Sequence, residues 1–325
     1  MVFTLQGCPD PWSGYTFFTG VLPDSPVNLD AFNTEYDDYN SAMIFLGSLS
    51  PFCYSTNRHT QGGEFNIRYE PMNVTWDRVK GELTVYNGYS RRATYTEEFG
   101  VLLNAVKRVN SMGNELGPCL LHSRDPGFAD ANLVLLYASD LDGDFDIGFT
   151  FNTENPAFAE VESVAFLNSQ FNDLYPSFNI DYSRIYFCSD REEGIYNIFS
   201  VEVDYAGDSI IRVLTDVDPY EVVLNEVLSS EYEDKCPYLF QNLLVFASDR
   251  PGGYGGFDLY YSKMEMGEWG APVNFGPAIN TAADEYRPIL FEEEVDEDRY
   301  MMIFSSDRTG GKGGFDLYYM GILSD

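Results

Sequence analysis

Short apolar segments alternate with polar, glycine-rich turns along most of the chain, and the same order of segments returns about every fifty residues. Each repeat contains a nearly unbroken apolar segment, a turn, and a second segment of the type Phe-Asp-Leu-Tyr-Tyr. Short apolar runs bounded by turn residues are typical of strands that are buried on both faces. Glycine permits the positive φ values that tight connections between strands require. The pattern therefore predicts β-hairpins packed face to face.

Five copies of this hairpin follow one another along the chain. The two clearest copies occupy residues 244–261 and 302–319, and both carry Ser-Asp-Arg before the turn and Gly-Gly-Phe-Asp-Leu-Tyr-Tyr after it. A looser copy occupies residues 185–199, and degenerate copies lie at 54–67 and 137–147. Self-similarity at a fixed period is the signature of repeat architectures such as propellers.

A polar segment precedes each hairpin. The last copy runs from Ile279 to Pro288, and the first copy runs from Phe32 to Ser41, with serine in place of the proline. Because proline is tolerated at the first residue of a strand, we expect an inner strand to begin at this position. An inner strand, two hairpin strands and an outer strand make one antiparallel propeller blade. The sequence thus predicts an all-β fold, a five-bladed β-propeller of four-stranded blades.

One interval between hairpins is longer than the others. The distance from Asn57 to Asp140 exceeds the later intervals by about 25 residues, which is less than a blade of about 40–45 residues. Asn87-Gly88 lies between alternating segments, as in a hairpin turn. We therefore expect an inserted hairpin at about 77–105. A degenerate sixth blade is the alternative.

The last repeat has no segment for an outer strand after Tyr319, and an amino-terminal segment resembles the missing piece. Pro26-Val-Asn28 matches Pro272-Val-Asn274 of the preceding repeat. We expect an amino-terminal strand to close the ring, since closure leaves no open sheet edge. The predicted layout is a tail at 1–14, a propeller at 15–325 with its closing strand at about 15–28, and blades at about 32–76, 109–155, 167–215, 228–275 and 279–320.

Charge narrows the classes of partner. The formal net charge is −33, from 52 acidic and 19 basic residues. A surface this acidic repels phosphate backbones and anionic headgroups, so we expect no nucleic-acid partner. The same charge also serves to keep a protein soluble and monomeric. No apolar run is long enough for a membrane-spanning helix, so we expect membrane association only through a lipid anchor or a partner protein.

The hairpin repeats and the segments of the type Pro-Val-Asn followed by Ile-Asn-Thr-x-x-Asp-Glu-Tyr resemble the TolB-like, WD-like β-propeller repeats of bacterial envelope proteins. The likeness is to the variant found beside OmpA-like domains, in lipoproteins tied to peptidoglycan and in gliding and type IX secretion components. It covers the chain from about Pro26 to Tyr319. The resemblance implies a rigid platform for envelope proteins that is associated with the outer membrane. It does not distinguish the periplasmic side of that membrane from the cell-surface side. Without an OmpA-like domain, direct anchoring to peptidoglycan is not expected.

Acidic and basic residues recur at fixed positions of the repeat. Because catalytic groups form a unique constellation, a residue needed in every blade more often ties a turn or a neighbouring blade. We therefore interpret these positions as structural. They are Asp190, Arg191, Asp249, Arg250, Asp307, Arg308, Asp258 and Asp316.

One acidic turn is a candidate metal site. Asp140, Asp142, Asp144 and Asp146 alternate around a glycine, which places several oxygens on one side of a turn, as calcium loops do. The segment also looks like the calcium hairpins of integrin-type propellers. The alternative is a solvated acidic turn, since Asp140 and Asp146 are ordinary repeat positions. No cofactor is required by the sequence, and Ca²⁺ is the one ion it indicates.

Cysteine usage offers a possible anchor. Leu5-Gln6-Gly7-Cys8 resembles a bacterial lipobox, in which a cysteine is lipidated after cleavage of a signal. Lipidated Cys8 would hold the protein in the bacterial cell envelope, at the outer membrane; a chance match to a short motif is the alternative. The other four cysteines fall in predicted strands without zinc-ligand spacing.

Enzyme signatures are mostly missing from the sequence. There are two histidines, without metal-ligand spacing, and no nucleophile elbow or Walker loop. We therefore expect a non-catalytic scaffold that binds envelope proteins, and no enzyme. The alternative is a glycan-binding or glycan-cleaving propeller, which requires aromatic and acidic residues that converge at one mouth of the ring.

Overall fold

The computed structural model describes residues 20–44, 50–77, 79–88, 96–123, 132–154, 157–205, 209–292, 296 and 298–323. In this part of the chain, five antiparallel sheets of four main strands surround a common axis. The predicted all-β, five-bladed propeller is confirmed, and the described residues form no sixth blade. No helix among these residues is long and apolar enough to cross a membrane.

The elements of the first half are a closing strand, blade 1, a helix and blade 2. The closing strand is β1 (Val27–Asn28), and blade 1 holds β2 (Asp38–Met43), β3 (Ser50–Thr56), β4 (Asn66–Asp77) and β5 (Glu82–Asn87). Helix α1 (Thr96–Val109) follows. Blade 2 holds β6 (Glu115–Ser123), β7 (Asn132–Ser139), β8 (Asp146–Glu154), β9 (Ala157–Phe158) and β10 (Glu162–Ser163).

The second half completes the ring. Blade 3 holds β11 (Asp173–Phe178), β12 (Arg184–Ser189), β13 (Asn197–Glu202), the short helix α2 (Ile210–Leu214) and β14 (Val222–Leu224). Blade 4 holds β15 (Asp234–Phe240), β16 (Leu243–Ser248), β17 (Asp258–Glu265), β18 (Glu268–Trp269) and β19 (Val273–Asn274). Blade 5 holds β20 (Glu285–Glu292), β21 (Arg299–Ser306) and β22 (Asp316–Leu323), with β1 as its outer strand.

The amino-terminal closure is confirmed, and β1 is shorter than the predicted closing strand. Val27 pairs with Tyr319 and Asn28 with Tyr318, antiparallel to β22. The buried amide of Asn33 then clamps the backbone of Leu317, accepting from its N–H at 2.9 Å and donating to its carbonyl at 2.8 Å. Asn280 makes the same pair of bonds with Leu259, at 2.8 and 3.0 Å. The joint that closes the ring is therefore built like a joint within the continuous chain.

The apolar core lies between the blades. The second strand of each blade is the most buried; in β12, for example, Ile185, Tyr186, Phe187 and Cys188 are all fully buried. Alternate side chains of such a strand point to opposite faces and therefore pack on different neighbouring blades. Ile185 and Phe187 join the cluster shared with blade 2, whereas Tyr186 joins the cluster shared with blade 4. This double burial explains the nearly unbroken apolar runs of the sequence.

The structure corrects the predicted insertion in blade 1. The expected hairpin at about 77–105 is replaced by two different features: the turn after β4 leads into β5, which is the outer strand of blade 1 itself, and α1 follows. Leu102, Ala105 and Val109 of α1 are buried between blades 1 and 2. The extra residues thus fill a wedge between two blades instead of extending one of them.

Candidate functional site

Every inner strand carries a β-bulge at its third residue. The bulged residue has positive φ in all five blades, between +45° and +58°. These residues are Asn40, Gly117, Tyr175, Cys236 and Arg287. The proline that was expected to open the strand instead follows the bulge, because the bulge interrupts the ladder where the missing N–H of proline is tolerated.

Three of the bulged side chains close the axis of the propeller. Asn40 lies across the propeller from Tyr175, and its Nδ2 is 3.2 Å from the Tyr175 hydroxyl. The phenol ring of Tyr175 occupies the space that a Cβ on Gly117 would need. Arg287 is 1% exposed; it donates to the carbonyl oxygens of Pro118 and Pro237 and lies 5.2 Å from the ring of Tyr175. We call Tyr175, Arg287 and Asn40 the axial plug.

An open cavity of about 350 Å³ lies at the mouth of the ring where the inner strands begin, with Tyr175 as part of its wall. It is mostly aromatic and apolar. We call it the central pocket, and its lining residues are Tyr39, Leu116, Phe145, Leu174, Tyr175, Tyr196, Lys235, Phe257, Asp284, Tyr286 and Phe315.

Two positions of the repeat supply most of this lining. The first is the residue before each bulge, which all five blades contribute: Tyr39, Leu116, Leu174, Lys235 and Tyr286. The second is the aromatic residue before each third strand, which four blades contribute: Phe145, Tyr196, Phe257 and Phe315. The fifth aromatic residue of this set, Phe65, does not line the pocket but packs on Tyr39 at 4.8 Å. Ring closure thus gathers positions that are far apart in the sequence.

The pocket rings contact one another. Tyr39 stacks on Phe315 at 5.6 Å, and Tyr286 meets Phe257 edge to face at 5.2 Å and Tyr175 at 6.4 Å. Burial raises the pKa of the phenols of Tyr39, Tyr175 and Tyr286 well above the ordinary value. These tyrosines therefore stay neutral at physiological pH, where their hydroxyl groups can both donate and accept hydrogen bonds.

Two charged side chains line the pocket, one of each sign. Lys235 Nζ lies 4.1 Å from the ring centre of Tyr196 and 5.3 Å from that of Phe257, and forms an ion pair with Glu233 at 3.0 Å. Asp284 accepts a hydrogen bond from the N–H of Phe257 at 2.8 Å through Oδ1. Its Oδ2 has no hydrogen-bond partner among the residues that the structure describes.

The repeated Asp-Arg pairs lie around this mouth in a common arrangement. Arg191 donates to the buried carboxylate of Asp173 at 2.6 Å and to the carbonyl oxygen of Leu167 at 2.5 Å. Arg250 and Arg308 make the same contacts with Asp234 and Glu285. The neighbouring carboxylates accept backbone N–H groups of the loop that precedes the inner strand; they are Asp190, Asp249 and Asp307.

The other two repeated acids hold the glycine-rich turns. The Asp258 carboxylate accepts hydrogen bonds from the backbone N–H groups of Tyr254 at 2.6 Å and Gly255 at 3.2 Å. Asp316 does the same for Lys312 at 2.5 Å and Gly313 at 3.1 Å. The carboxylate oxygens of these two acids accept hydrogen bonds from fixed backbone donors, and neither acid lines the central pocket.

The predicted calcium ligands are not gathered into a site. Asp140 uses both oxygens on Asn114, accepting from the backbone N–H at 2.6 Å and from Nδ2 at 2.7 Å. Asp142 is exposed, and burial, with smaller effects of Asp144 and other nearby acids, raises the pKa of the Asp146 carboxyl. Within the described ranges, no group of three or more acidic, histidine or cysteine side chains is placed to hold a metal ion. Calcium binding stays a prediction, and Cys8 lies outside the described residues.

Sequence reasoning did not nominate any residue of the central pocket. A signal was available, because the aromatic residue before each third strand recurs in all five copies. Lys235 is also visible as the charged exception at a position that is aromatic or leucine elsewhere. A repeat shows which positions are shared, and the pocket requires the further step of finding which shared positions face the axis.

Comparison with solved structures finds similar propellers. A thermostable family-43 glycoside hydrolase aligns with a TM-score of 0.55 at 9% identity, over 89% of this chain and 91% of its own. An α-L-arabinofuranosidase from Podospora anserina, solved with cellotriose, aligns with a TM-score of 0.51 at 12% identity, over 94% and 97%. An exo-β-1,3-galactanase from Clostridium thermocellum aligns with a TM-score of 0.52 at 10% identity, over 92% and 63%. At these identities the likeness shows the fold.

The comparisons correct the expected function. No protein-family model matches the sequence, and a search of curated proteins finds no significant match. The three propellers compared above, which align with 89–94% of this chain, are glycoside hydrolases and not TolB-like envelope repeats. These neighbours contradict the expectations of a non-catalytic envelope scaffold and of a protein without enzymatic activity, and both expectations are given up. The alternative, a glycan-binding or glycan-cleaving propeller, is the better supported one.

Proposed function

We propose that the protein acts on a glycan and binds one sugar residue of it in the central pocket. The observation that carries the proposal is the lining: seven aromatic rings, with hydroxyl groups on four of them, converge at one mouth of the propeller. Aromatic faces pack on the C–H faces of sugars, while phenol hydroxyls bond sugar hydroxyls. A volume of about 350 Å³ suits a small ligand, at the lower end of ligand pockets.

The proposed activity is hydrolysis of the glycosidic bond next to the bound sugar. Such hydrolysis uses two carboxyl groups, one that protonates the leaving oxygen and one that activates water or attacks the sugar. Asp284 lines the pocket and has one oxygen free of protein hydrogen bonds among the described residues. Glu233, at the same repeat position of blade 4, pairs with the pocket residue Lys235. We assign these two carboxylates as the pair to test.

Binding is tested with immobilised oligosaccharides and the substitution Phe257→Ala. We expect wild type to bind a defined set of glycans and the variant to bind them about fivefold more weakly, since each stacked ring contributes about 1 kcal/mol. Phe65→Ala is the matched control, because Phe65 has the same repeat position but does not line the pocket. A wild-type protein that binds no glycan, or equal losses in both variants, would contradict the proposal.

Hydrolysis is tested with the same glycans by measuring released sugar. Asp284→Asn keeps an acceptor for the Phe257 N–H and removes the acid; we expect turnover to fall by about 100-fold or more while binding persists. Asp37→Asn is the control, since Asp37 has the same repeat position in blade 1 and bonds Phe315 and Asn57 instead. Turnover that survives Asp284→Asn would show that Asp284 is not catalytic.

A further inference from the structure

Lys235 breaks the repeat at the centre of the pocket. The residue before the bulge is aromatic or leucine in the other four blades, so the fold itself does not require a cation there. Burial of an ammonium group is costly, and an apolar residue would pack against Tyr196 and Phe257 without that cost. A residue that departs from the repeat and lines the pocket is better explained by a ligand than by the blade.

Arg287 is a second exception, at the next position of the adjacent blade. The corresponding residues of the other blades are uncharged. Its contacts among the described residues are with two carbonyl oxygens and the ring of Tyr175, and none is with a carboxylate. Because Arg287 is 1% exposed, solvent screens its charge poorly. It therefore adds a positive field behind the wall that Tyr175 forms.

The pocket thus differs in charge from the rest of the molecule. The chain has 52 acidic and 19 basic residues, yet two of those basic residues lie in adjacent blades at the axis. The lining itself contains one carboxylate, Asp284. Lys235 has three N–H donors, and its contact with Glu233 at 3.0 Å is an ion pair without hydrogen-bond geometry. A negatively charged group of a ligand could therefore accept a hydrogen bond from the Lys235 ammonium.

We infer that the sugar bound in the central pocket carries a carboxylate, as a uronic acid residue does, and that Lys235 donates a hydrogen bond to it. The inference rests on the proposed glycan function and names the class of sugar. Tyr196 and Phe257 hold the ammonium in place by cation–π contacts, so the donor is positioned before the ligand arrives. Arg287 strengthens the attraction without touching the ligand.

The test compares two ligands and three variants. The ligands are an oligosaccharide ending in a uronic acid and the same oligosaccharide after reduction of its carboxylate to the alcohol. We expect wild type to bind the acidic form about 10- to 100-fold more tightly, as for a hydrogen bond between charged groups. Lys235→Met should abolish this preference, and Lys235→Arg should keep most of it. Lys312→Met removes an exposed lysine from a turn of blade 5 and should leave the preference unchanged.

The outcomes separate the two proposals. Equal binding of both ligands by wild type would overturn the inference and leave glycan binding intact. A preference that persists in folded Lys235→Met would also overturn it. If neither ligand nor any other glycan bound, both proposals would fall. Because the ligand pair probes wild type directly, the comparison holds even if Lys235→Met does not fold.

Discussion

The arginine clamp of blade 3 supports a quantitative test of how the repeat stabilises the fold. Arg191 donates to Asp173 at 2.6 Å, to the Leu167 carbonyl at 2.5 Å and, through Nε, to Ser189 at 3.0 Å. The Asp173 carboxylate is fully buried, whereas the Arg191 side chain is 17% exposed. Arg191→Met retains much of the side-chain volume and removes the charge. The buried carboxylate then lacks its counter-ion.

The expected loss follows from these contacts. Removing one partner of a buried ion pair costs about 3–5 kcal/mol. Ser169 still donates its N–H and hydroxyl to Asp173, at 2.7 and 2.9 Å, so we expect about 3 kcal/mol. With an unfolding entropy of about 2.1 cal/mol/K per residue over 325 residues, this loss lowers Tm by about 4–5 °C.

The assay is urea denaturation of wild type and Arg191→Met, each in the presence and absence of Asp173→Asn. With a neutral amide at position 173, the loss on removing Arg191 should fall to about 1 kcal/mol, an ordinary hydrogen-bond contribution. A loss below 1 kcal/mol in the wild-type background, or equal losses in both backgrounds, would refute the account of the clamp as charge compensation.

Three further results are expected. Burial raises the pKa of the Glu115 carboxyl, so the contribution of protonated Glu115 to stability is complete below about pH 4 and is lost as pH rises through the folded-state pKa. The free energy of unfolding of Glu115→Gln, measured in urea, should therefore increase relative to wild type between about pH 4 and 7. A difference that stays constant over this range would contradict the argument. Gly117→Ala should lower Tm and glycan affinity, because its Cβ would lie 2.3 Å from Tyr175, whereas Gly194→Ala, with open space around it, should cost only about 1–2 kcal/mol; equal losses would refute the steric argument. Asn33→Ala should cost about 2 kcal/mol or more in urea denaturation and unfold the whole ring in one transition, and a separate early transition would show that the closing strand is independent.

Much of the fold is predictable from the repeat, because each blade must bury both faces of its strands and so repeats its apolar pattern. Helix α1 escaped that reasoning although Leu102, Ala105 and Val109 have helical spacing, since an extra hairpin also explained the extra length. The inner strands begin three residues before the proline, as at Glu285 and Pro288. Positive φ at Arg287 has no sequence signal, because non-glycine residues rarely adopt it.

The candidate site was less predictable for a physical reason. Tyr39, Leu174 and Tyr286 have the polarity of ordinary core residues, and only closure of the ring places them around one cavity. The charged residues that recur in the sequence, such as Asp249 and Arg250, form hydrogen bonds that connect loops to strands. Lys235 could have been found by asking where a repeat departs from itself.

The axial plug determines which molecules can pass along the axis of the propeller. Tyr175, Arg287 and Asn40 are at most 4% exposed and reach across the axis, so among the described residues they leave no channel from one face of the propeller to the other. A polymer cannot be threaded through such a ring, so only a chain end or a branch tip can reach the bottom of the cavity. Whatever is released there must leave by the way it came, in competition with the next molecule arriving. Under the proposed hydrolysis, accumulating product should therefore act as a competitive inhibitor.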